Sequence, residues 1–252
     1  MSISVGPTSA FVGAYGYSAG STYTPTIPAG QQAGDLMFLF SGNKTTATYP
    51  TVSGWTQLMT QTNGSVASGA GTGSVRQTVF YRVHTGGTQP EPYQYWNGMR
   101  RPNVSGFLSL RSDVTDEFTI DYTHGADTNA SNTSVSATGG AQLDYSTGDY
   151  LAVFVMAKDE GSAGVDQHSS KSVTIPGCTL GTLTTNLFIA TSIDYDAYAA
   201  VLTAPINSGS ATGVPTYTAT AAGTSTSDPQ VVFLRIAEPA QAPAFAGWGV
   251  PL

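Results

Sequence analysis

Polar and apolar positions along this chain follow the two-residue period of strands. Val75 to Val83 puts Val75, Gln77, Val79, Tyr81 and Val83 on one face, the pattern of a strand with one side buried. Val104 to Leu110 alternates in the same way, with Phe107 on the opposite face. Two runs are nearly continuous instead: Asp35 to Ser41, and Tyr150 to Ala157. Both are short and follow a Gly-Asp pair, so central, buried strands are expected there rather than helices. Further strands are expected in 10–26, in 49–58 after a turn, at Tyr93–Trp96, and around Ile120 and Val135. Beyond Ala157 they are expected within 172–180, 187–191, 195–203, 215–219 and 230–237. Turn-forming Gly, Pro, Asn and Ser separate them. No segment carries helical periodicity over about 11 residues with caps, which disfavours a mixed α+β fold.

The strands recur in order. Gly34-Asp35-Leu36-Met37-Phe38 returns as Gly148-Asp149-Tyr150-Leu151-Ala152. Phe80 to Thr85 is matched with Tyr198 to Thr203, and Phe107 to Leu110 with Phe233 to Ile236. The displacement drifts, as a duplication with loop insertions would give. The expected fold is therefore all-β: two tandem β-sandwiches, jelly-roll or Greek-key-like, related by internal duplication. The domains are expected at 1–115 and 116–238. An extended tail, 239–252, follows. Its prolines and glycines exclude regular structure, yet it carries Phe245, Trp248 and Val250, so it is expected to dock on its own domain or on a neighbouring subunit.

Composition agrees with strands. Hydrophobic residues make up 40% and charged residues only 10% of 252, too little charge to coat several amphipathic helices. The net charge of −7 disfavours nucleic acid, which needs Lys and Arg against phosphates. No run is long enough to span a membrane as a helix. The first residues lack the basic start and apolar stretch of a signal peptide, so cytoplasmic synthesis is expected. The single cysteine, Cys178, leaves no internal disulfide.

Candidate chemistry is sparse. His84 ends a strand, His124 precedes Gly125 in an expected turn, and His168 lies in an expected polar loop; surface or structural roles are expected for all three. Asp194-Tyr195-Asp196 offers two carboxylates to one side, but without the spacing of a calcium loop. Asp113, Asp116, Glu117 and Asp121 read as a solvated linker. Trp55 is expected in the core. Tyr93, Tyr95 and Trp96 either form a sugar-stacking platform or pack in a core or subunit contact. No catalytic, cofactor-binding or metal-binding residue is expected.

The first half carries phrases shared by a known group. Ile27-Pro28-Ala29-Gly30 leads to Gly34-Asp35-Leu36-Met37. Ser53-Gly54-Trp55-Thr56, Phe80-Tyr81-Arg82-Val83 and Val104 to Ser112 follow. Together they resemble a broad group of tailed-phage virion proteins, with the cadence P-x-G-x-x-x-G-D-L-L, P-S-G-W-T-x-L and Y-R-V. The resemblance covers residues 20–115 and reaches the second half only through the repeat, where Cys178 stands for the Trp. It implies a non-enzymatic structural protein on the surface of a tailed-phage-like or gene-transfer particle. Capsid decoration or a head fibre is the foremost expectation, with a minor tail protein beside it. Expected partners are other capsid or tail proteins and further copies in a homo-oligomer. The alternative is a carbohydrate-binding adhesin for host-surface polysaccharide. A polysaccharide-degrading enzyme would rest on fold analogy alone.

Overall fold

The structure is a computed structural model. It describes residues 3–15, 21–23, 25–43, 52–63, 75–87, 91–92, 94–96, 102–114, 116–127, 133–158, 166–190, 197–222 and 229–239. These contain strands and no helix. The first half holds β1 (Ile3–Val5), β2 (Ser9–Tyr15), β3 (Ser21–Tyr23), β4 (Leu36–Asn43), β5 (Thr56–Asn63), β6 (Val75–Val83), β7 (Gln94–Trp96) and β8 (Pro102–Ser112). The second holds β9 (Thr119–Ala126), β10 (Ser134–Thr138), β11 (Tyr150–Lys158), β12 (His168–Thr174), β13 (Cys178–Leu180), β14 (Thr184–Ala190), β15 (Ala197–Gly209), β16 (Thr216–Ala221) and β17 (Gln230–Ala237).

The second half forms a sheet ordered β13-β15-β11-β17-β9, with β14 also on β15, and a second sheet ordered β10-β16-β12. The first strand, β9, therefore bonds the last, β17, while the chain between passes repeatedly from sheet to sheet. This is jelly-roll winding. The first half builds a matching sheet, β1-β8-β4-β6-β5 with β2 also on β8, and a small pair, β3-β7. Among the described residues no sheet mixes strands from the two halves.

The two large sheets agree in detail. The β5–β6 ladder slips between Gln57 and Met59, opposite Phe80 and Val79. The β14–β15 ladder slips between Thr185 and Leu187, opposite Leu202 and Val201. Each is a bulge at the same place in its hairpin. The ladders also correct one sequence match. Leu36 pairs with Val83 and Tyr150 with Pro205, so Val83 corresponds to Pro205, four residues beyond the Val201 of the sequence match. Short apolar strands align almost as well after a slip of an even number, because the same side chains stay inward. β15 runs on to Gly209, past the expected end at Thr203, because β13 pairs with its extension.

The main core lies between the two halves. Leu36, Phe38, Phe40, Val79, Val104 and Leu108 share one cluster with Ala152, Phe154, Met156, Val201, Val232 and Leu234. The opposite face of the second sheet packs against β10-β16-β12 through Leu151, Val153, Phe233, Val135 and Tyr217. The opposite face of the first sheet carries Met37, Leu39, Val52, Trp55, Phe80 and Phe107. All eight residues of β4 are buried. An antiparallel strand usually has a wet face; here both faces are covered, which explains the unbroken apolar runs.

The packing of the halves follows an approximate two-fold axis. Phe40 meets Phe154, its own counterpart, with ring centroids 5.0 Å apart. Gly42 abuts its counterpart Met156, whose Sδ would collide with a Cβ on residue 42. Two such contacts, advancing together, mean that β4 and β11 run side by side in the same direction. Around them β2 lies against β14, β8 against β15, and β6 against β17. An isologous interface has this reciprocal form.

Two buried amides cross the interface. Gln77 Nε2 donates to the backbone carbonyls of Phe154 at 3.0 Å and Gln230 at 2.9 Å. The Gln230 amide, oriented by its hydrogen-bond network, donates back to Gln61 O at 3.2 Å and Val75 O at 3.3 Å. Gln77→Met should cost about 2 kcal/mol, because two buried carbonyls lose their donor. Urea unfolding should show one cooperative transition for both halves, since they share a core; two well-separated transitions would refute that coupling.

Candidate functional site

The Gly-Asp pairs that precede β4 and β11 build the same device twice. Gly34 has φ 91° and Gly148 φ 95°, conformations that cost a residue with a Cβ. Each lets its Asp fold back. Asp35 N donates to Gln32 O at 3.1 Å, and Asp35 Oδ2 accepts from Gln32 N at 2.8 Å. Asp149 N donates to Ser146 O at 3.0 Å, and its Oδ2 accepts from Ser146 N at 2.8 Å. The turns are tied to the next strand alike: Gly34 N to His84 O and His84 N to Asp35 O, Gly148 N to Ile206 O and Ile206 N to Asp149 O.

Each carboxylate also holds an arginine from the last strand of its half. Arg111 Nε and Nη2 grip Asp35 Oδ1 and Oδ2 at 2.7 and 2.8 Å. Arg235 Nε donates to Asp149 Oδ2 at 2.6 Å, and its Nη1 to Asp121 Oδ2 at 2.8 Å. The ladders pair Leu110 with Leu36 and Ile236 with Tyr150, so the two arginines come from positions two residues apart along the strand. Both reach the turn because side chains two apart share a face.

Burial pulls the Asp35 carboxyl up, but the Arg111 bond, the Gln32 N–H and the charges of Arg111 and His84 outweigh it and hold it below its ordinary value. Burial works against the Arg235 cation, yet its bonds to Asp149 and Asp121 raise its pKa.

A cleft opens at each device. Gln32, Gly34, Asp35, Arg111, Asp113 and Asp116 line one of about 340 Å³. Ser146, Thr147, Asp149, Arg235 and Glu238 line the other, of about 460 Å³. Because β4 and β11 run parallel, both clefts sit at the same end of the molecule. One cleft carries three carboxylates against one arginine and the other two against one, so both suit polar, hydrogen-bonding partners.

The expected site residues fare unevenly. Tyr95 and Trp96 lie on β7, opposite Thr22 and Ser21 of β3; nothing is described of their side chains. Tyr93, Asp194 and Asp196, and Phe245, Trp248 and Val250 of the tail, lie outside the described residues. Trp55 is in the core, 9% exposed. His84 is buried, its Nδ1 accepting from Gly86 N at 3.1 Å. The stretch read as a solvated linker is partly engaged: Asp121 pairs with Arg235, and Asp113 and Asp116 line a cleft.

Two histidines depart from expectation. His124 lies within β9 and is half-buried, not in a turn. His168 opens β12 and is 3% exposed. Its ring lies 4.4 Å from the Tyr198 ring, and its Nδ1 is 2.9 Å from Tyr217 Oη. Asp166, beside it, accepts from Tyr198 Oη at 2.8 Å and pairs with Lys171. The polar run His168-Ser169-Ser170-Lys171 hides this strand because a bulge between Ser169 and Ser172 interrupts the alternation. Desolvation, with a smaller push from Lys171, lowers the His168 pKa to about 4 despite Asp166. Cys178 is half-buried, and burial followed by the Asp149 charge raises its thiol pKa, against a reactive thiolate. Among the described residues no group of three or more His, Cys, Asp or Glu could hold a metal ion.

Sequence reading noted the repeated Gly-Asp but missed its arginines. An Arg in the last strand of each half was the available signal. Comparison with family models, curated proteins and solved structures finds no match.

Asp35→Asn should cost about 2 kcal/mol, the order of a charge-assisted hydrogen bond. Because the folded Asp35 pKa lies below its ordinary 3.8, its contribution is present above that value and fades as pH falls through the folded pKa; the Asn variant should lack this fading in acid unfolding. His168 takes a proton more readily when unfolded, so it should erode stability from about pH 6.5 down to about pH 4. NMR titration should show its ring neutral until near pH 4, and His168→Phe should flatten stability across that window.

Proposed function

We propose that this chain is a non-enzymatic structural protein on the surface of a tailed-phage-like particle, as a capsid decoration or head-fibre component. The observation that carries this reading is repetition. Two large sheets with the same strand order, bulge, turn and Asp–Arg pair meet across an approximate two-fold and turn equivalent clefts to one end. Assembly uses repeated surfaces of this kind, because their weak contacts add. The halves are read as copies of one ancestral module; the shared bulge favours that origin, since bulges persist within families. Partners are other capsid or tail proteins and further copies of the chain.

A second reading, an adhesin for host polysaccharide, draws support from the outer face of β10-β16-β12. Its registers align Ser134-Thr220-Ser169, Ser136-Thr218-Ser172 and Thr138-Thr216-Thr174 in three rows. Eight of these nine are exposed, and none is charged. Such a face offers hydroxyls to a neutral polyhydroxylated chain.

Antibodies raised against the chain should decorate intact, purified particles in electron micrographs, and light scattering should show a discrete oligomer. Particles free of the chain would refute the structural reading. Sedimentation of the protein with host polysaccharide, with particles unlabelled, would favour the adhesin.

A further inference from the structure

The outer face of β10-β16-β12 is kept free of charge by a device in its edge strand. The three strands contain no acidic residue and two basic ones, His168 and Lys171, both on β12. Neither reaches the outer face. His168 lies beneath it, against the Tyr198 ring and Tyr217 Oη. Lys171 also turns inward. It pairs with Asp166 and donates to Thr185 Oγ1 of β14, in the opposite sheet, at 3.2 Å, and 11% of its side chain is exposed.

Regular alternation would put Lys171 outside. It stands two residues after Ser169, which is exposed, and residues two apart on a strand share a face. A bulge prevents this. Ser169 pairs with Thr220 and Ser172 with Thr218, so β12 holds one extra residue between them. There Ser170 adopts φ 49°, and among the described residues it alone has a positive φ without being glycine. The left-handed region is unfavourable for a residue with a Cβ, and such local strain concentrates at functional sites. The bulge delivers Ser172 and Thr174 to the outer face and Lys171 to the interior.

Three rows of hydroxyls are left outside, and the central strand reads Thr216-x-Thr218-x-Thr220. Neighbouring strands stand about 4.8 Å apart, so each row repeats a hydroxyl at that interval. The face has no cation for phosphates or acidic sugars. Protein interfaces are enriched in aromatic residues, Met and Arg and depleted in Ser, the reverse of this surface. A single hydroxyl contact gains little over water, so a partner held here must make many at once. We propose that this face is the binding surface for an uncharged polysaccharide, which lies across the three strands along the hydroxyl rows and engages several sugar units together. Resting on the adhesin reading, such a site further excludes anionic glycans and requires a long chain.

The test is native electrophoresis of the full chain through gels that each hold one polysaccharide. The neutral probes are dextran, amylose, galactomannan and a β-1,3-glucan; the acidic probes are alginate and hyaluronate. At least one neutral polymer should retard the protein, a trisaccharide of that polymer should not compete at equal sugar mass, and the acidic polymers should have no effect. Thr218→Lys, at the centre of the face, should weaken the retardation about tenfold, because it sets an unpaired charge against a neutral partner. Ser136→Lys repeats the substitution from β10, in case the first variant is unstable. Gln57→Lys, exposed on β5, adds the same charge elsewhere and should bind like the parent. Thermal midpoints confirm that each variant is folded. Full retardation of folded Thr218→Lys and Ser136→Lys would overturn this site and leave the adhesin reading standing. Stronger retardation by alginate or hyaluronate would overturn the uncharged class, and competition by the trisaccharide would overturn the extended mode. No retardation by any polymer would overturn both the site and the adhesin reading.

Discussion

The burial of one sheet face against another at Phe40 and Phe154 is the contact on which the rest of this molecule depends. It brings together the middle strands of both halves, so those strands have no wet side. Each then needs a further layer on its opposite face. In the second half that layer is the sheet β10-β16-β12; in the first it includes Val52 and Trp55. The hydrophobic effect scales with apolar area removed from water, and this stack of layers lets a chain with little charge and no disulfide bury much of its apolar surface. Close approach also demands small residues at the axis, which is why Gly42 faces Met156.

Polar groups inside such a stack must find partners within it. The amide N–H groups of Gln77 and Gln230 do so by reaching across to backbone carbonyls of the opposite half. These bonds carry direction, which apolar packing lacks, and they fix the register of one sheet on the other. The Asp–Arg pairs do related work at the edge: each ties the turn that launches a central strand to the last strand of its half. In a chain with so few charges, these ion pairs sit where the jelly-roll winding closes.

The same economy bears on function. Repeated turns and clefts at one end of a two-fold framework suit attachment, and they leave the outer sheet face to present hydroxyls. Arg82 stands apart from that scheme. Its cation is half-buried and stacked on the Trp55 ring.

Much of the fold was legible in the sequence. The two-residue period, the lack of helical stripes and the Gly-Asp openings of the central strands are local features, set by side-chain alternation and by the backbone needs of Gly34 and Gly148. The recurrence of strands was visible too, because each half must satisfy the same backbone pairing. The register of β15, the concealed strand at His168 and the ion pairs of Arg111 and Arg235 were not legible. An even slip leaves the inward face unchanged, a bulge breaks the alternation at Ser170, and partners 76 or 86 residues apart in sequence meet only when the last strand returns beside the first. The shared core between the halves was decided by tertiary structure alone. A strand buried on both faces reads the same in sequence whether its second face meets its own sandwich or the other half, and only the assembled sheets settle which.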